Sequence, residues 1–278
     1  MSTPPAQPAA PGHPAPARTV SATSGPRPLV PYLATTGRIL RQLRNDRRTV
    51  AMILVVPALL MTLLYFIYQD VPVAPHQPVS LFDRVGMSML GILPFIVMFL
   101  ITAIAMQRER TSGTLERLLT TPLSKLDLLG GYGTAFSLAA AAQAAVACLV
   151  SFGLLDLDAA GSPLWVVIIA IVDAVLGVAL GLLCSAFART EFQAVQFMPV
   201  VVAPQIFLCG LLVPREQLPD WLQVISNVMP LSYAVDALHE VSVSAEPTGL
   251  MWRDLGIVAG FAAVALCLGA ATLRRRTV

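Results

Sequence analysis

The chain of 278 residues is 56% hydrophobic and 12% charged, with a formal net charge of +2, whereas an ordinary soluble domain carries roughly 25% charged residues. That balance describes a polytopic membrane protein and leaves no basic surface for a nucleic acid. The four cysteines, Cys148, Cys184, Cys209 and Cys267, fall inside apolar runs without metal-ligand spacing, so they read as packing residues.

Residues 1–30 are crowded with proline, alanine, serine and threonine. Such a segment has too little apolar surface to fold, and it lacks the continuous apolar stretch of a signal peptide, so a disordered tail is expected ahead of one domain over 31–278. From Tyr32 to Arg48 the apolar residues Leu33, Ile39, Leu40 and Leu43 gather towards one side of a helix, while Arg38, Arg41, Arg44 and Arg48 project elsewhere. This pattern predicts an amphipathic helix lying in the headgroup region, its arginines near anionic lipid.

A bilayer core of about 30 Å takes about 20 helical residues, and six segments reach that length: 49–68, 85–106, 133–155, 164–187, 195–213 and 255–273. The fifth is the least regular, because Pro199 and Pro204 remove backbone donors and invite a kink. An even number of spans puts both ends of the chain on one side. Of the 18 basic residues, Arg84, Arg215 and Arg253 alone fall on the other side, so the positive-inside rule makes both termini cytoplasmic.

Between the second and third spans runs QRERTSGTLERLLTTPLSKLD, residues 107–127. A segment this polar, interrupted by Gly113 and Pro122, cannot sit in hydrocarbon, where every backbone group needs an internal partner. Thr111 or Ser112 is expected to cap a short helix over 113–119, with Glu116 near its positive end. Thr121 and Pro122 then stop it, and Ser124 with Asp127 resembles a capping box that restarts the chain into the third span. Two readings stand open: an elbow that a cytosolic partner pushes, or a solvated connection.

Catalytic motifs fail on inspection. Lys125 is the sole lysine and follows no glycine-rich turn, so the chain supplies no P-loop. His239 and Glu240 begin an H-E-x-x-H pattern, but Val243 stands where the second histidine belongs. Around Gly86 the sequence GMSML lacks the closing glycine of a nucleophile elbow. No enzyme and no cofactor or metal site is expected on this chain.

One acid lies deep in a span. Asp173 is about 15 Å along the fourth segment by helical rise, and no basic residue inside a span is there to pair with it. It reads either as part of a substrate or proton pathway or as a packing residue hydrogen-bonded to Gln143. Gly177 and Gly181 form a G-x-x-x-G for close helix approach, read as packing within the chain ahead of a dimer seam. Beyond the fifth span, residues 214–254 form an acidic external stretch with two short helical patterns. One carries Trp221, Leu222, Ile225 and Met229 on one face, the other Leu231, Val235, Leu238 and Val241. Both are too short to span and read as surface or re-entrant helices.

RERTSGTLERLLTTPLSKLDLLGG, followed by FLCGLLVPREQLPDWLQVISNVMPLSYAVDAL over 207–238, resembles the type-2 ATP-binding-cassette exporter permeases, notably the bacterial daunorubicin-resistance type. The likeness covers the chain beyond the tail, in span order and spacing. It implies an all-α six-span permease in a bacterial plasma membrane, with an amphipathic N-terminal interface helix, a cytoplasmic coupling helix and external re-entrant helices. It further implies a homodimer or heterodimer of permeases embedded in membrane lipid and docked to separate P-loop ATPase subunits, which bind the ATP and Mg.

Carried over by position, Glu109, Arg110, Thr111, Ser112, Gly113, Thr114, Leu115, Glu116 and Arg117 belong to the coupling elbow. The external motif maps to Gly210, Pro214, Leu218, Pro219, Trp221, Pro230, Leu231 and Tyr233. Spans almost free of charge suit a hydrophobic or amphipathic cargo moved outward, with Gln143 and Asp173 as candidate pathway residues. The rival reading is a proton-coupled secondary transporter centred on Asp173, which expects paired broken helices in two matching halves; no second half matches the first.

Overall fold

The computed structural model describes residues 29–71, 80–114 and 125–272, and every regular element among them is helical. In chain order these are α1 (Leu29–Asn45), α2 (Arg47–Tyr68), α3 (Leu81–Thr111), α4 (Lys125–Gly153), α5 (Pro163–Cys184) and α6 (Glu191–Leu208). A 3-10 turn (Arg215–Gln217) then leads to α7 (Asp220–Ser226), α8 (Pro230–Val243) and α9 (Gly249–Thr272). Six of them, α2 to α6 and α9, are long and apolar enough to cross a bilayer.

Helix starts follow from local chemistry. Asp46 opens α2 by accepting from the Thr49 backbone N–H at 3.2 Å and from its hydroxyl at 2.7 Å. Ser80 opens α3 through the Asp83 N–H, and Ser162 opens α5 ahead of Pro163, whose missing donor costs nothing in a first turn. Thr190 caps α6 by the same device, accepting from Gln193.

The centre of the molecule is the α3–α5 pair. Gly177 and Gly181 let α5 lie directly on α3, since a Cβ at either position would meet the carbonyl oxygen of Phe95 or Phe99. The G-x-x-x-G is therefore an intrachain packing seam. Around this pair the apolar core forms three zones along the helix axes. One joins Met87, Leu90, Leu238 and Met251, a middle one joins Phe95, Phe99, Val202 and Leu231, and the third joins Ile39, Met106, Leu128 and Tyr132. The α1 end and the α7–α8 end are thus opposite ends of the bundle.

Several sequence expectations are corrected here. The second span does not give way to a loop at Gln107: α3 continues to Thr111, with Gln107 and Glu109 buried. Thr111, expected to cap the next helix, ends α3 and turns its hydroxyl back to the Gln107 carbonyl. Ser112 is instead the C-cap of α3, its N–H bonded to the Arg108 carbonyl, and Gly113 leaves the helix at φ +69°, a left-handed conformation that glycine adopts freely. The proposed short helix beyond Thr114, with Leu115, Glu116 and Arg117, lies outside the described residues, as does the tail up to residue 28.

The fifth span runs over Glu191–Leu208 rather than 195–213. A π-helical stretch, Met198–Val202, takes up Pro199 without breaking the helix. In α1, Ile39 is buried as expected, but Leu33 is exposed and Arg38 turns inward. On α7, read as a surface or re-entrant helix, Trp221 and Ile225 are exposed and Ser226 is the buried residue. On α8 the expected face holds, with Leu231, Val235, Leu238 and Val241 all buried.

Candidate functional site

At the α1 end, three helices are tied by two ionic contacts and a fourth by a hydrogen bond. The α1 helix lies on Gly130 and Gly131 of α4, where a Cβ on Gly131 would come within 2.8 Å of Thr35; the Tyr32 and Thr134 hydroxyls are hydrogen-bonded beside it. From this seat Arg38 reaches two helices at once. Its Nη2 donates to the Tyr132 hydroxyl at 2.6 Å, and its Nη1 lies 3.4 Å from Glu109 Oε1 on α3. One residue earlier on α3, Arg108 donates through Nε and Nη2 to the two oxygens of Glu191 at 3.1 and 3.2 Å. The end of α3 is thereby joined to α1 and to the first turn of α6. Paired forks of this kind fix orientation as well as distance.

Of the elbow residues drawn from the sequence, Glu109 to Thr111 are the last turn of α3, Ser112 and Gly113 form the exit turn, and Thr114 is again helical. Glu109 is buried, and the Ser112 and Thr114 hydroxyls meet at 2.9 Å. Sequence reasoning missed Arg38, Tyr132 and Glu191 as partners here. The available signals were an arginine on the inner side of an amphipathic helix and an acid directly after the Thr190 cap.

Midway through the bundle Asp173 is completely buried, and so is Gln143. Both oxygens of Asp173 and both polar atoms of Gln143 lack a hydrogen-bond partner among the described residues. The expected Asp173–Gln143 bond is therefore absent. Asp173 instead faces α3 at Gly91, where an added Cβ would lie 3.3 Å from Oδ2, beside Leu238 of α8. Two polar side chains without a partner among the described residues are costly to hold in an apolar interior.

At the opposite end the external motif closes around a residue the sequence reading did not single out. Arg215, on the turn after Pro214, donates from Nε to Ser226 at 2.9 Å and from Nη2 to Asn227 at 2.6 Å; Nη1 pairs with Asp236, and the guanidinium lies over the Tyr233 ring. Gly210, at φ +93°, turns the chain out of α6 with its α-carbon close to the arginine stem. Leu218 and Pro219 lead into α7. Pro230 and Leu231 open α8, where the Leu231 N–H donates to Gln205. Tyr233 donates to the Asn227 carbonyl at 2.7 Å. Trp221 stays outside this knot, exposed on α7. Burial pushes the Asp236 carboxyl up to about 6, against the pull of Arg215.

Fold and site together define a multi-pass, all-α membrane protein with one end braced by ion pairs, two polar side chains at mid-bundle without partners among the described residues, and a cap of short helices at the other end. Residues 32–242 match the ABC-2 type transporter family, and the chain belongs to it.

Among relatives, "Probable multidrug ABC transporter permease YbhR" of Escherichia coli is 26% identical over 168 residues, covering 60% of this chain and 46% of that protein. "Linearmycin resistance permease protein LnrN" of Bacillus subtilis is 26% identical over 165 residues, 59% of this chain and 43% of that protein. "Nodulation protein J" of Rhizobium meliloti is 27% identical over 97 residues, 35% and 37% of the two chains. The chain spans less than half the length of these relatives.

Proposed function

We propose that this chain is the membrane-spanning subunit of an ATP-driven exporter in a bacterial plasma membrane, moving a hydrophobic or amphipathic molecule such as a drug, a natural product or a lipid-like compound outward. The observation that carries the reading is the braced end of α3. A helix running from the cap region through the core to Arg108 and Glu109 is gripped at that end by α1 and α6, so a displacement applied there moves three elements together. The names of the relatives, multidrug and antibiotic-resistance permeases, support the same direction and class of cargo.

In this reading both termini are cytoplasmic, as the distribution of basic residues favours. Two such subunits, identical or not, carry separate P-loop ATPases that hold ATP and Mg. This chain, lacking a P-loop, is a permease and not itself an enzyme. Closure of the ATPases pushes on the segment after Ser112 and shifts α3 against α5. Asp173 and Gln143 then offer polar contacts along a path otherwise lined by apolar side chains.

The test is the double replacement Glu116→Ala and Arg117→Ala, with the cognate ATPase coexpressed. Export should fall to background while membrane abundance of the permease is unchanged. Full export by the double variant would remove the coupling role from this segment.

A further inference from the structure

Between α1 and the neighbouring ends of α2 and α3 lies a cavity of about 390 Å³, within the roughly 300–1,000 Å³ range of small-molecule sites. Most of its wall is apolar, including Ile39, Leu43, Met52, Ile101 and Ile104. Among the described residues, three charged ones also line it: Asp46, Arg108 and Glu109.

They are not equally satisfied. Arg108 is committed to both oxygens of Glu191, and the Asp46 carboxylate accepts from the first turn of α2. Glu109 is the group left incomplete. Its Oε1 makes a long contact with Arg38, whereas Oε2 is buried without a hydrogen-bond partner among the described residues. The side chain is 9% exposed. Arg38 Nε is likewise unpaired, but Arg38 is not part of the cavity wall. Among the described residues, the charged lining and its direct ionic partners are Asp46, Glu109 and Glu191 with Arg38 and Arg108. A carboxylate oxygen shut away from water with no donor is a standing cost. A cationic N–H beside an apolar body relieves it and covers the surrounding side chains.

We propose that this cavity binds an amphiphilic amine, with its ammonium group donating to Glu109 Oε2 and its apolar portion lying against Ile39, Leu43, Met52, Ile101 and Ile104. An anion finds no donor at Glu109 Oε2 and is repelled by that carboxylate, and a neutral alcohol forms a weaker, uncharged bond. Binding here needs neither ATP nor a partner subunit. Its failure would leave the transport reading where it stands.

The experiment is calorimetric titration of the purified chain in lipid nanodiscs with 4-phenylbutylamine, 4-phenylbutanol and 4-phenylbutanoate, with empty nanodiscs subtracted. The amine should saturate and bind at least about tenfold more tightly than the alcohol, as a charge-assisted hydrogen bond provides; the acid should show no saturable binding. Glu109→Gln should bring the amine and alcohol to equal affinity. Ile104→Trp, which fills the cavity without touching the ion pairs, should abolish amine binding, and it decides the matter if Glu109→Gln does not fold. Equal affinity of amine and alcohol for the unaltered chain, or unchanged amine binding in Ile104→Trp, would overturn the proposal. So would a signal no larger than that of empty nanodiscs.

Discussion

At the scale of single residues, Arg215 organises the cap around α7 and α8 from a side chain that is 13% exposed. Its partner Asp236 supplies a pH signature. With its carboxyl raised to about 6 from an ordinary 3.8, the native chain keeps a proton there that the unfolded chain has already released. Stability therefore falls as pH rises from about 3.8 to about 6, and levels off above that interval. Asp236→Asn should flatten this part of the profile. The check is the difference in melting midpoint between variant and parent across pH 4 to 7 (roughly the interval in which the linkage acts); a constant difference contradicts the assignment.

Asp173 makes a different prediction. Asparagine preserves a polar group of the same shape without the charge, and leucine removes the polar contact altogether. Export at matched abundance should survive Asp173→Asn and drop steeply in Asp173→Leu. Equal activity of the leucine variant would make Asp173 a packing residue, while complete loss in the asparagine variant would favour proton coupling.

At the scale of elements, the α3–α5 seam is the most sharply testable contact. Gly177→Ala drives a methyl into the Phe95 carbonyl, so it should destabilise the chain by about 1–3 kcal/mol. Gly256→Ala, with nothing within 4 Å, should not. Denaturant titration of both in detergent measures this, and equal stability of the two would contradict the packing described.

The seam was legible beforehand, because two glycines four apart in an apolar helix leave little else to do. So were the six apolar helices and the buried face of α8, since their apolar runs and periodicities are local. The extension of α3 to Thr111 was hidden, because Gln107 and Glu109 are polar and read as solvated, and the Glu109 partner, Arg38 of α1, lies some 70 residues earlier in the chain. Arg38 was assigned to lipid for the same reason. Pairings between distant segments leave no local pattern, and the π stretch in α6 compensates Pro199 in a way that composition does not reveal.

At the scale of the whole molecule, the braced end of α3, the unpaired Asp173 and Gln143, and the cap around Arg215 lie in sequence along the bundle axis. That ordering suits a machine driven from one end and opened at the other. Topology is the first requirement. Cysteines placed singly at Ser112 and Gln217 in a cysteine-free chain should react with a membrane-impermeant maleimide from the inside and from the outside of intact cells, respectively; labelling of Ser112 from outside would reverse the orientation.

The most direct measurement of the central claim is uptake of an amphipathic fluorescent dye, ethidium, into inverted membrane vesicles containing this chain and its cognate ATPase. The account predicts uptake that requires ATP, persists when a protonophore collapses the proton gradient, and disappears when the P-loop lysine of the ATPase is replaced. Uptake driven by a proton gradient without ATP, and lost in Asp173→Asn, would contradict it.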